Sequence, residues 1–213
     1  MGSVFYIPQL SYFFWRYDDR QGKQYKENLD ETAIINELEN LFDLYRKEAS
    51  TDTLFDAKTK GTIAGEGATF FTLLKASSGN DLAKLDAITT FYKPANDSEI
   101  KEQIAAFLAG QTVDIEEIDL IITGKNGDHE NDAVYESLNT SLFASKQTIN
   151  FKHLCGEYPT ASAYALWLAA AIIKKGKVPA SLLSKEINKS VNKVLIYNHY
   201  LNKHHALYLL SAC

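Results

Sequence analysis

Apolar residues recur at two spacings along this chain, and the switches between them mark out its elements. Residues 1–17 are crowded with aromatics, among them Phe5, Tyr6, Tyr12, Phe13, Phe14, Trp15 and Tyr17, and such a group needs a covering surface. Residues 18–30 are charged and polar and read as a loop. From Glu31 to Ser50, Ile34, Ile35, Leu38, Leu41, Phe42 and Tyr45 keep a helical period. Thr69–Lys75 and Leu85–Tyr92 read as strands, with Ser77, Ser78, Gly79 and Asn80 supplying loop chemistry between them. Asp97 and Ser98 are placed to cap a helix running through Gly110, apolar at Ile100, Ile104, Ala105, Phe107 and Leu108.

The middle of the chain is organised around a stretch from Ile118 to Gly176. Ile118 and Leu120–Ile122 suit a strand buried on both faces, Asp119–Ile122, which breaks into a polar loop containing Gly124 and Gly127. Asn131 and Asp132 open a helix through Leu142, with acidic side chains suited to its first turn. Thr148–Phe151 is the next strand. Pro159 fits the first turn of a helix, where its missing N–H costs nothing. The helix Thr160–Lys174 is apolar almost all round and should be buried, between two sheets or at a subunit interface. Lys193–Tyr197 and Ala206–Leu210 close the chain as two strands. Two strands, then alternating helices and strands, then a hairpin give an α/β domain, a mixed sheet with a buried central helix.

Composition narrows the function classes. The chain has 213 residues, 46% hydrophobic, enough for one large domain or two small ones. With 22 basic and 27 acidic residues, the formal charge of -5 gives no footprint for nucleic acid. Lys174, Lys175 and Lys177 cluster at a helix C-terminus, where cations are favoured, and read as a solvated helix end. Two cysteines, Cys155 and Cys213, fit a reducing compartment rather than a disulfide framework. No apolar run reaches the ~18–20 residues of a membrane span, and the N-terminus has no basic region ahead of its apolar residues. A cytoplasmic location is the resulting expectation. His199, His204 and His205 lack a second group of ligands, so no metal or other cofactor is expected.

Four short motifs carry a resemblance. Phe55, Asp56, Gly61, Gly65, Glu66, Gly67 and Ala68 match, in register, the beta-ketoacyl synthase pattern Pro-Phe-Asp-x-x-Arg-x-Gly-x-x-x-Gly-Glu-Gly-Ala. Further on, Asn131 and Asp132 match the Asn-Asp pair of that family. Lys152 and Gly156 match its Lys-Ser-x-x-Gly-His, and Asn198 and Tyr200 fall on its terminal Ser-Asn-Ser-Phe-Gly-Phe-Gly-Gly. The chain therefore resembles the C-terminal half of the thiolase-fold condensing enzymes over about residues 50–212. Two departures matter. The family's two histidines fall on Gly124 and Glu157, and the terminal glycine loop becomes Tyr197–His204, which cannot keep a shape that needs positive φ at several glycines.

The resemblance implies a thiolase-like domain over 51–213, preceded by an aromatic segment and helix, 1–50, for packing or an interface. It implies acyl-chain condensation in fatty acid or polyketide biosynthesis, with an acyl carrier protein as partner. Such chemistry needs a cysteine thiolate and two donors for the developing oxyanion. In the family that cysteine lies in the N-terminal half. A partner chain or an N-terminal half is expected to supply it, within a homo- or hetero-dimer, and this chain alone is expected to be inactive. The family-matching catalytic positions are Lys152, Glu157 and Asp132, while Gly124, Cys155, Asn198 and Tyr200 stand where substrate is held. Lys152 and Glu157 are expected to form a buried pair, and Asp132 to cap its helix. His129 and His153 are assigned surface or packing roles. Cys155 lies just before a helix start, a place that can lower a thiol pKa, but packing as a small hydrophobe is its expected role. Two functional readings stand: part of a divergent synthase, or a non-catalytic subunit, akin to a chain-length factor, that shapes an acyl pocket on an active synthase. An unrelated α/β binding domain remains only if the Phe55–Ala68 match is coincidental.

Overall fold

The computed structural model describes residues 55, 60–77, 79, 81–183 and 189–213. The aromatic segment, the helix read over Glu31–Ser50 and the boundary at residue 50 lie outside the described residues, as does Asp56.

Among the described residues, five strands form one sheet: β1 (Lys84–Tyr92), β2 (Leu120–Thr123), β3 (Thr148–Asn150), β4 (Lys193–Tyr200) and β5 (His204–Ser211), in the order β1-β5-β4-β2-β3. β5 runs antiparallel to both neighbours, while β2 lies parallel to β3 and to β4. The side-chain alternation of the inner strands serves both faces. Leu120, Ile122, Val194, Ile196, Tyr208 and Leu210 point into one core, and Ile121, Leu195, Tyr197, Leu207 and Leu209 into the other. The second core is sealed by helices α1 (Asp97–Gly110) and α2 (His129–Asn139), the first by helix α4 (Ala161–Lys175). A one-turn helix, α3 (Lys152–Cys155), joins β3 to α4. The expected α/β architecture with a mixed sheet is what forms. Among the described residues, α4 packs on a single sheet, and its Trp167 faces outward, 44% exposed, so it is not buried all round.

Several boundaries differ from the sequence reading, each for a local reason. Thr69–Lys75 forms no strand; Phe70, Leu73 and Leu74 are exposed there, and only Phe71 reaches the core. α1 is capped by Asn96, whose Oδ1 accepts from Glu99 N at 3.1 Å, rather than by Asp97 or Ser98. α2 starts at His129, not Asn131, because Asp128 accepts from Glu130 N and Asn131 N. It ends at Asn139, where Phe143 N turns back to Leu138 O at 2.8 Å and puts the Phe143 ring in the core.

β1 is an edge strand with an irregularity near its start. Its register against β5 shifts between Leu85 and Ala87, and Asp86, the extra residue, pairs with Lys84 at 2.7 Å. At the other end of β5, the segment expected to lose the shape of the family's glycine loop is a tight hairpin, its strands paired at Tyr200 and His204 and joined by Leu201, Asn202 and Lys203. Leu201 (φ 53) and Asn202 (φ 48) are both left-handed, and Lys203 N donates to Tyr200 O at 3.1 Å, a type I′ turn matching the strand twist. The turn keeps left-handed backbone without glycine, so Leu201 carries a steric cost there. Leu201→Gly should raise the urea midpoint, by about 0.5–1 kcal/mol of stability; an unchanged or lower midpoint would show that the turn is not strained.

Candidate functional site

The loop after β2 and the turn before α4 are built around a buried charge. Lys152, 1% exposed, opens α3, and its Nζ lies 2.5 Å from Glu157 Oε2, itself 3% exposed. The same Oε2 accepts from Asn126 Nδ2 at 2.8 Å. Lys152 Nζ also donates to His199 O at 3.4 Å. The pair expected from the sequence is thus formed, with its remaining hydrogen-bonding capacity met by the β2 loop and by β4.

Asn126 ties the loop down on every side. Its N–H donates to Asp132 Oδ1 at 2.9 Å, its carbonyl accepts from Thr62 Oγ1 at 2.6 Å, and its Oδ1 accepts from Asp128 N at 3.0 Å. Asp132 Oδ2 takes Gly127 N at 2.8 Å. Asp132 therefore holds the loop rather than capping α2, a role that falls to Asp128, and Asp128 Oδ2 also accepts from Gly61 N at 2.5 Å. Burial raises the Asp132 carboxyl to about 6, against the lowering effect of its two backbone donors.

Beside Gly124, where the resemblance has a histidine, the space for a side chain is taken by the tips of two other side chains, which would have to move to admit one. A Cβ there would sit 1.9 Å from Asn198 Oδ1 and 2.7 Å from Tyr135 Oη. Tyr135 is fully buried, and its hydroxyl accepts from His199 N at 3.0 Å. The ring of His199 stacks on that of Tyr135, with centroids 4.7 Å apart. Asn202 N donates to His199 Nδ1 at 3.1 Å, so the proton sits on Nε2 and is donated to Asn131 O at 2.9 Å. Burial, with Lys152 and His205 nearby, holds His199 well below the usual imidazole range and neutral. His205 stacks on Phe91 at 4.7 Å, and its Nδ1 lies 2.9 Å from Tyr197 Oη; burial lowers it to about 4.

The glycine motif and the lysine motif meet backbone to backbone. Gly65 N donates to Glu157 O at 3.1 Å, and Glu157 N donates to Ile63 O at 2.8 Å. A Cβ on Gly65 would stand 2.0 Å from Cys155 O, and one on Gly156 (φ 76) would stand 2.5 Å from Gly65 Cα. Only glycines permit this approach. Beside the seam opens a cavity of about 430 Å³ lined by Glu66, Leu154, Cys155, Tyr158 and Tyr164, among others. Neither Lys152 nor Glu157 lines it.

The site residues expected from sequence thus separate into two places. Lys152, Glu157 and Asp132 belong to the buried network, Gly124 and Asn198 lie against each other beside Tyr135, with Asn198 Oδ1 buried and unpartnered, and Cys155 belongs to the cavity wall. Tyr200 is at the hairpin end, paired in register with His204, and does not line the cavity. Cys155 Sγ donates to Gly156 O at 3.4 Å, and burial pushes the thiol up to about 11, the reverse of the lowering a helix start can give. His129 is exposed on α2, and His153 meets Phe55 edge-on at 5.7 Å. Among the described residues no group of three or more His, Cys, Asp or Glu gathers as metal ligands, and no helix is long and apolar enough to cross a membrane. Asn126, Thr62 and Tyr135 escaped the sequence reading, and His199 entered it only as a rejected metal ligand. For His199 the one signal was its place beside Asn198, in a motif where the resemblance has serine.

No family model matches the sequence, and no curated protein matches it. Solved structures do resemble its fold. The ishigamide ketosynthase/chain length factor is 17% identical over 83% of this chain and 50% of that chain, with a TM-score of 0.61. A beta-ketoacyl synthase from Burkholderia phymatum STM815 is 13% identical over 87% of this chain and 52% of its own, with a TM-score of 0.59. A type II polyketide synthase acyl-carrier protein in complex with its ketosynthase bound to the hexaketide is matched at 14% identity, over 87% and 54%, with a TM-score of 0.58. The fold is that of the thiolase-like ketosynthases, and the chain spans about half the length of these structures.

Two outcomes follow. Lys152→Met should cost about 3–5 kcal/mol in urea denaturation by leaving Glu157 buried and unpaired, and the double variant Lys152→Met/Glu157→Leu should recover much of it; equal losses in both would show the pair to be unimportant. His205 binds its proton more weakly folded than unfolded. Stability from this group is therefore full above about pH 6.5 and falls as the pH drops toward 4. The stability advantage of wild type over His205→Gln should shrink between pH 7.5 and 4.5, and a pH-independent difference would contradict the assignment.

Proposed function

We propose that this protein is a non-catalytic subunit of the ketosynthase type, akin to a chain-length factor, acting with an active synthase and its acyl carrier protein in fatty acid or polyketide assembly. The observation that carries this reading is the closure of both histidine positions. Glu157 is consumed by Lys152 and Asn126, and the space beside Gly124 is filled by Asn198 and Tyr135. An oxyanion site needs donors aimed into a space a substrate can enter. Here the position that would donate is a carboxylate in a buried ion pair, and the cavity opens beside it, against Cys155. Cys155 is a poor nucleophile, its thiol held protonated by burial. The neighbours that include a chain length factor and a carrier complex support the assignment of partners.

The test is direct. Purified protein incubated with acyl- and malonyl-loaded acyl carrier protein should form no ketoacyl product by mass spectrometry, and Glu157→His should not confer activity because Gly124 remains closed. Losing one oxyanion donor alone costs about 10²–10³ in rate. Product formation that disappears in Cys155→Ser would overturn the reading in favour of an enzyme.

A further inference from the structure

The cavity beside the glycine seam combines aromatic walls with one acid. Its volume, about 430 Å³, falls in the range of small-molecule sites. Tyr158 and Tyr164 stand on its wall with His153, Leu154 and Cys155, and Glu66 brings a carboxylate. Among the described residues, no lysine or arginine lines it. Burial pushes the Cys155 thiol up to about 11 and the Tyr158 hydroxyl up to about 12, and it lowers His153, so these groups carry no charge at neutral pH. The charges nearest in the fold cancel, because Lys152 and Glu157 act on Cys155 in opposite senses and are paired with each other. Glu66 therefore leaves the cavity with a net negative charge. The walls are also set in advance. The Tyr164 ring lies against Trp167, with centroids 5.4 Å apart, and Gly67 lets Tyr158 approach, since a Cβ there would stand 2.8 Å from Tyr158 Oη.

We propose that this cavity binds an organic ammonium ion, with its nitrogen beside Glu66 and its carbon skeleton against Tyr158, Tyr164 and Leu154. Charge selects this class of ligand. A carboxylate or a phosphate would meet Glu66 as a like charge and find no cation on the walls. A neutral molecule would gain only from leaving water. An ammonium gains from burial of its skeleton, from the carboxylate, and from the negative face of a tyrosine ring. Glu66 is exposed while Tyr158 is buried, so the charged end of the ligand sits at the mouth and keeps part of its hydration, and the apolar end goes inward. The inference goes beyond the proposed function and does not rest on it, since the cavity would hold the same ligand whether or not the chain supports condensation.

Phenylethylammonium, phenylethanol and phenylpropionate share a shape and differ in charge. Each is titrated into the full chain at neutral pH and low salt, with amide chemical shifts as the readout. The ammonium should bind in roughly the millimolar range or tighter, with shifts centred on Leu154, Tyr158 and Tyr164. It should bind about fivefold or more tighter than the alcohol, and the carboxylate should bind weakest. Glu66→Gln should weaken the ammonium about threefold and leave the alcohol unchanged, and Glu66→Lys should reverse the order in favour of the carboxylate. Tyr164→Leu should cut the preference for ammonium over alcohol about threefold. Glu66 is exposed and Tyr164 half-buried, so circular dichroism should show each variant folded. Equal binding of the three ligands by wild type overturns the proposal, as does tighter binding of the carboxylate. So does a preference for ammonium that survives Glu66→Lys, or the absence of saturable shifts at the cavity for every ligand.

Discussion

A lysine taken out of water dictates much of this structure. Desolvating an ammonium costs several kcal/mol unless a counter-charge and further acceptors surround it. Lys152 has all of these: Glu157 from the turn before α4, the His199 carbonyl from β4, and Asn126, from the loop after β2, holding Glu157 in place. Each partner is then constrained in turn. Asn126 is fixed by Thr62 and Asp132, and His199 by Asn131 and the hairpin turn. Segments far apart in sequence are locked together because one charge has to be satisfied.

In the proposed reading, the same locking is what leaves no donors free for condensation. A site that stabilises an oxyanion keeps donors unspent until substrate arrives. Here the polar groups around Lys152 are spent on one another. The arrangement holds the loops in place, and Cys155, on the wall of the adjoining cavity, is kept protonated by burial.

The topology was legible because it rests on periodicity. The strands β2, β4 and β5 and the helix α4 form about where they were read, β4 and β5 running further than read, since burial on two faces leaves a strong apolar pattern. The motif at Gly61–Ala68 was legible as a match, and its purpose became visible only in three dimensions, where Gly65 meets Gly156. Helix starts moved by a residue or two because the caps were Asn96 and Asp128, just outside the apolar pattern. The Thr69–Lys75 strand failed because its apolar residues had no sheet to join. The roles of Thr62, Asn126, Tyr135 and His199 were missed for a common reason: each residue acts through a contact more than 25 residues away in sequence, and no local spacing encodes it.

The irregularity at Asp86 has a consequence for solubility. Among the described residues, the nine-residue strand β1 pairs on one side only, and an edge of that kind with exposed Ile88 and Tyr92 can template a further strand, the starting point of runaway sheet stacking. The bulge bends and twists the start of that edge, and the Lys84–Asp86 charges make docking there costly. Sheet extension from this side is blunted within the strand's first turn of twist, so growth into fibrils is discouraged by the backbone itself, without a covering partner.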